Sequence, residues 1–288
     1  MPRKLNWREI EQKTGFAVIA LFAAAGVIFL GTLLWDIASN GWQAINWIFI
    51  TEQPRQGMTA GGILPAIAGT FFITLITILF CVPLGVSAAI YLSEYAVEGR
   101  LTEWIRTAIR NLAGVPSIVY GLFGVALFVQ ALGFGRSILS AGLTLGILTL
   151  PWIITTAEEA LKTIPKSFRE GSLALGATKW ESIRTNVLPY ATPGILTGTI
   201  LGVSRAAGET APILFTGAAF FIPELPSSLF DQFMALPYHL YILSTQHHNI
   251  ELVRPLAYGT ALVLLLLVFL LNLGAIIIRY RIRKNQNY

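Results

Sequence analysis

EEALKTIPKSFREGSLALGATKWESIRTNVLP, residues 158–189, is the longest mixed-charge run in a chain that is otherwise mostly apolar. Long uncharged segments flank it on both sides, so it reads as a solvated loop between two membrane spans. Its own pattern is helix, break, helix. Apolar residues recur at helical spacing around Phe168, Leu173 and Leu175, Gly176 interrupts, and Trp180, Ile183 and Val187 resume the period until Pro189 stops it. A two-helix elbow that leads straight into another span suits a surface gripped by a partner protein. Glu158 and Glu159, at its head, suggest an acid–base pair but read more simply as solvated carboxylates at the end of a span.

Outside the elbow, composition sets the class. The 288 residues carry only 12% charged side chains, with a mean hydropathy of +0.66. A soluble domain of this size needs far more polar surface, so the chain reads as an all-α polytopic membrane protein. The net charge of +5 does not indicate nucleic acid, because the basic residues lie in loops and tails rather than in one stripe. The single cysteine, Cys81, excludes an intrachain disulfide. His239, His247 and His248 have no acidic or cysteine partners at ligand spacing, so no metal site is expected. No nucleophile triad, P-loop or CxxC motif occurs, and nothing supports catalysis in this chain.

The chain then divides as follows. Residues 1–15 form a short mixed-charge tail, and residues 16–36 a first transmembrane helix. Its apolar run is too long for a signal-peptide core. Residues 37–61 form an outer loop, with Trp35, Trp42 and Trp47 as interfacial anchors. No charge occurs from 56 to 93, a stretch longer than one crossing. Residues 60–65 therefore read as a lead-in turn and 67–91 as the second span, bent at Pro83 or Gly85. The third to sixth spans fall at about 111–133, 137–157, 192–221 and 255–278, and 280–288 is a basic tail. Of the 20 lysines and arginines, all but four lie in the two tails, the loop between spans two and three, and the elbow. Arg55, Arg136 and Arg254 mark the alternate loops. Six spans with both termini cytoplasmic satisfy that distribution. In the long loop 222–254, Ser227, Ser228 and Asp231 are placed to cap an interfacial helix carrying Phe230, Phe233, Met234 and Leu240; a docking surface for an external partner is the other reading.

Arg205 and Glu209 stand four apart near the middle of the fifth span, on one face of a helix. A charge at the bilayer centre costs about 2.5–3.5 kcal/mol even on lenient scales, so such residues face an interior path or a partner. Either they form a self-neutralising pair that fixes packing, or Arg205 offers a bidentate fork to a phosphate-like anion while Glu209 competes for it. Thr210 adds a hydroxyl donor, and Pro212 frees a carbonyl one turn back. Arg110, at the inner end of the third span, snorkels to the interface or lines the same path. Gly114, Ser117, Gly121 and Gly124 read as helix-packing positions.

The elbow resembles the loop of ABC-importer permease subunits, E-A-A, three residues, Gly, nine residues, I-x-L-P. The match falls on Glu170, Gly171 and Ser172, then Gly176, then 186–189 ending in Leu188 and Pro189. Gly171 and Ser172 replace the alanines, and Asn186 the isoleucine. GGILPAIAGT at 61–70, VPLGVSAAIYLSEYA at 82–96, LAGVPSIVYGLFG at 112–124 and SRAAGETAP at 204–212 are similar to phosphate-importer permeases of the PstA type. The resemblance implies a type I ABC transmembrane fold over residues 62–279, with residues 158–189 docking into a cytoplasmic ATPase. It further implies a PstC-like permease partner, two PstB-like ATPase subunits that bind ATP and Mg, no cofactor in this chain, and an external PstS-like phosphate-binding protein. The alternatives are a PstC-like role, another tetrahedral oxyanion such as sulfate or molybdate, or an ion-coupled secondary transporter. Secondary transporters often show internal repeats, and no clear repeat relates the two halves here.

Overall fold

The computed structural model describes residues 7–284; Arg3, Lys4 and the last four residues of the basic tail lie outside the described residues. Helix α1, Trp7–Gly41, has 35 residues. At about 52 Å it outruns the expected first span at both ends. Its apolar window buries nothing against the bundle. Near its end it meets the last helix, where the Tyr258 hydroxyl donates to Asp36 Oδ2 at 3.1 Å. Trp35, Trp42 and Trp47 are all exposed there, as interfacial anchors require.

A short α2, Trp47–Thr51, begins where the Asn46 side chain accepts from the Phe49 amide at 2.8 Å. A hairpin of β1, Pro54–Arg55, and β2, Ala60–Gly61, follows. Gly61, at φ +86°, lies against the Gln53 carbonyl, where a side chain has no room. Helix α3, Leu64–Ile90, opens with Pro65 in its first turn and ends in a π turn, Tyr91–Tyr95.

The third span departs from expectation. Instead of one helix over 111–133, α4, Arg100–Ala113, stops and α5, Ser117–Gly124, restarts, continuing as a π turn, Val125–Ala131. The two halves are bent by 102°. Pro116 explains the break, because it disfavours helical geometry at Val115 and offers no N–H to carry the ladder across. Helix α4 is amphipathic, with Leu101 and Trp104 exposed and Thr102 buried.

Helix α6, Ile138–Lys162, is the axis of the bundle, capped by the Ser137 hydroxyl. Small residues let its neighbours approach. A Cβ on Gly142 would come within 2.6 Å of Ile76 in α3, and Thr77 donates across the same seam to the Gly142 carbonyl at 3.1 Å. After α7, Lys166–Ala174, and α8, Lys179–Ser182, the chain passes through a π turn, Ile183–Val187, into α9, Leu188–Ala207. A separate short α10, Ala211–Thr216, follows. Helix α11, Leu236–Thr245, and α12, Ile250–Lys284, complete the chain. Among the described residues five helices are long and apolar enough to cross a membrane, and the bent α4–α5 pair brings the number to six.

The loop before α11 also differs from its reading. Ser227 and Ser228 cap no helix; instead Asp231 Oδ2 accepts from both their amides and from the Ser227 hydroxyl. These donors hold the Asp231 carboxyl below the usual carboxylate range. Phe233 and Met234, adjacent in sequence, are both buried. Neighbouring side chains of a helix point about 100° apart, so an extended segment pressed between other elements buries both more readily. The Leu236 amide then donates to Thr70 of α3 at 2.8 Å, and α11 is packed into the bundle rather than lying on its surface.

His239 of α11 is buried, and burial pushes its pKa down from 6.5 to about 4. The folded state therefore binds fewer protons than the unfolded chain between those values. The resulting stability is present above pH 6.5 and is lost as pH falls towards 4. A thermal melt series from pH 7 to 4 should show this slope, and His239→Leu should flatten it; an unchanged slope in the variant would assign it to other groups.

Candidate functional site

The elbow is built as two helices clasped at their base. Gly176, at φ +90°, supplies the left-handed turn after α7. Thr178 and Glu181 form a capping box that starts α8. The Ser172 hydroxyl meets that of Ser182 at 2.5 Å, a contact that the alanine of the familiar motif would lack. Phe168 packs edge-on against Tyr190 with centroids 4.9 Å apart. Gly171, Leu175 and Gly176 are exposed, Leu175 to 91%, and the exposed Glu170 lines a cleft with Glu94 and Arg106. Leu188 and Pro189 are half-buried on the bundle side. The motif residues thus divide between the body of the elbow and the hinge that joins it to α9.

Pro189 does not end the helix. From Lys179 to Ala207 the chain is one helical path. The Leu188 amide bonds back to Ile183 in the π turn, and this wider turn accommodates the missing N–H and the ring of Pro189. The second half of the elbow is therefore continuous with the fifth span.

That span is broken where its charges lie. Gly202 of α9 packs against Thr149, Trp152 and Ile153 at the middle of α6. Ser204 donates to Asn272, inside α12. At the far end of α6, the Ser137 amide donates to the Thr216 carbonyl of α10 at 3.0 Å. Helix α9 thus ends about halfway along α6, and α10 covers the remaining half. Arg205 and Glu209 pair at 3.5 Å, but not on one helical face as expected. Helix α9 stops at Ala207, and Glu209 and Thr210 fall in the break before Pro212 restarts the helix. The Arg205 side chain is 59% exposed and that of Glu209 17%, so the guanidinium looks outward from the bundle at mid-depth.

Helix α5, which follows the α4–α5 break, packs against α10. Gly121 approaches Pro212 and Phe215, and Gly124 fits between Thr144 and Thr216, confirming both as packing positions. Helix α5 therefore also starts near mid-depth. Arg110 sits on the other side of that bend, exposed, with its guanidinium donating to Thr107 at 3.1 Å. It does not share the Arg205–Glu209 pair.

Charge pairs at the elbow end were missed by sequence reading. Glu158 is not solvated: it is buried and accepts from Arg106 and Lys162, each at 2.7 Å. Glu159 is exposed, as expected. Glu94 receives Arg169 in a bidentate fork at 2.6 and 2.9 Å, which raises the arginine pKa further. Glu94 and Arg169 are separated by 75 residues, so local spacing carried no signal of the contact.

Comparison with known proteins agrees with this geometry. Residues 81–286 match the family model "Binding-protein-dependent transport system inner membrane component". A probable ABC transporter permease, YqgI of Bacillus subtilis, is 34% identical, covering 93% of this chain and 95% of that protein. The phosphate transport system permease PstA 1 of Mycobacterium tuberculosis (strain CDC 1551 / Oshkosh) is 36% identical, over 86% of this chain and 82% of its own length. A bacterial ABC transporter involved in alginate import superposes with a TM-score of 0.67 over 96% of this chain and 98% of that one, at 14% identity. The chain belongs to the binding-protein-dependent transport system inner membrane components and has the type I ABC-transporter permease fold.

Proposed function

We propose that this chain is the permease subunit of an ATP-driven importer that moves inorganic phosphate inward across the bacterial cytoplasmic membrane. The observation that carries it is Arg205, outward-facing at mid-depth beside the break between α9 and α10. A guanidinium cannot face hydrocarbon there at acceptable cost, so that face is covered by a second permease and borders the path between them. A planar fork suits a tetrahedral oxyanion, and the PstA-named relatives favour phosphate. Glu209 competes for the arginine and keeps the site weak enough to release its cargo; Thr210 adds a hydroxyl. The elbow, with Glu170, Gly171 and Gly176, docks on one of two cytoplasmic ATPase subunits, which bind ATP and Mg. A phosphate-binding protein delivers cargo at the opposite end, and both termini lie in the cytoplasm. The chain itself is a transport subunit and not an enzyme.

Labelled phosphate uptake by vesicles holding the assembled complex tests this, with and without ATP and against excess sulfate. ATP-dependent uptake that sulfate leaves unchanged is the expected result. Sulfate uptake would keep the architecture and discard the substrate. Uptake that ignores ATP and follows an ion gradient would discard the importer reading.

A further inference from the structure

The elbow reaches the candidate path by two routes of different kinds. Its second half runs as one helical path into α9, and hence to Arg205. Its first half, α7, has no such continuity with α4 and α5 on the other side of the path. What joins them is a set of side chains around the π turn Tyr91–Tyr95. Arg169 of α7 forks onto Glu94 in that turn and donates to the Ile164 carbonyl at 2.8 Å and the Leu161 carbonyl at 3.0 Å, at the end of α6. Arg106 of α4 donates to the Leu92 carbonyl of the same turn at 2.9 Å and to Glu158 of α6 at 2.7 Å.

We propose that Arg169 and Arg106 form a two-arginine joint through which motion of the elbow is passed, by way of the π turn, to α4 and the bend at 114–116. Three observations support it. Both arginines grip the same turn and the same helix end, so α7 cannot shift without displacing the seat of Arg106. The acceptors are withdrawn from water, with the Glu94 side chain 5% exposed and that of Glu158 9%. Ion pairs so desolvated gain little net stability against an apolar substitute, while breaking one leaves a charge without its partner. Their contribution here is to position. Finally, a π turn is a helix segment with irregular hydrogen bonding, suited to moving as a unit at a working site. With the joint intact, the α9 and α5 sides of the path move together; without it, only the α9 side follows the elbow.

This inference rests on the importer reading, and the experiment separates the two. The full complex is reconstituted with wild type, Glu94→Gln, Arg106→Gln, the double variant, and Glu94→Asp as a milder change that keeps the charge. Phosphate moved per ATP hydrolysed is measured, together with hydrogen exchange of the α4 and α7 amides in the purified chain. Each single glutamine variant should keep ATP hydrolysis but lower the transport ratio about tenfold. The double variant should be no worse than the weaker single, because the two contacts act in series, and Glu94→Asp should fall between. Glu94→Gln should also speed exchange in α4, although the hydrogen bonds of Glu94 among the described residues run to Ser93 and Arg169. An unchanged ratio in both singles, losses that multiply in the double, or α4 exchange unaffected by Glu94→Gln would each overturn the joint. If a glutamine variant fails to assemble, Glu94→Asp decides by the same ratio and exchange. A wild-type complex that moves no phosphate with ATP would instead sink the importer reading, leaving the exchange result to judge the joint alone.

Discussion

Arg205→Gln is expected to lower ATP-dependent phosphate uptake roughly 100-fold while leaving the protein folded. A charge-assisted hydrogen bond contributes about 1.5–3 kcal/mol, and a fork engages an oxyanion twice. Glutamine offers one neutral amide in its place. Folding should survive because the guanidinium is more exposed than buried and its pairing with Glu209, at 3.5 Å, is loose; exposed pairs of this kind contribute about 1 kcal/mol or less. Arg205→Lys should retain an intermediate rate, since an ammonium keeps the charge but not the planar fork. Uptake by Arg205→Gln at the wild-type rate, with normal yield in detergent, would remove Arg205 from the path.

Gly69→Ala is expected to be the most damaging single-methyl change in the bundle. A Cβ there would fall inside the Met234 carbonyl oxygen and 2.8 Å from a ring carbon of Phe233. The obstacle is backbone, which cannot rotate aside as a flexible side chain would. The extended segment carrying Phe233 and Met234 would have to lift from α3, and the Leu236–Thr70 hydrogen bond with it. Overpacking of this sort costs about 3 kcal/mol. Gly26→Ala is the matched control, for nothing lies within 4 Å of that position; it should be neutral or stabilising by up to about 1 kcal/mol through helix propensity. Comparing melting temperatures of the two variants in detergent checks the prediction, and equal melting would mean that the 232–235 segment does not pack against α3.

These outcomes divide according to how much of each feature was visible in the sequence. The elbow was legible because a mixed-charge run in an apolar chain has one simple explanation, and because Gly176 interrupts a clear helical period. The pairing of Arg205 with Glu209 was legible from spacing and from the cost of charge in a span. The helix that ends between them was not, although Gly208 lies in the break and Pro212 in the first turn of the helix that follows it. The same residue type was misjudged elsewhere in the opposite sense. Pro189 looked like a stop, yet the helix continues through it because the preceding π turn makes room. Pro116 was passed over inside an expected span, yet there the helix breaks. Proline forbids one hydrogen bond, and its neighbours decide whether the chain widens or turns.

The long loop shows the same division. Ser227, Ser228 and Asp231 belong together, as their spacing suggests, but as a turn closed on the aspartate. Gly69 of α3 leaves the gap into which Phe233 and Met234 insert, more than 160 residues later in the chain. Composition, hydrophobic runs and the placement of lysines and arginines were enough to determine a polytopic helical membrane protein with a solvated elbow and one intramembrane ion pair. These are properties of local segments in contact with lipid or water, and each segment carries its own preference. Where the helices break, which buried carboxylate meets which arginine, and which face leaves Arg205 exposed were decided only by the tertiary structure, because each depends on what a distant segment places opposite.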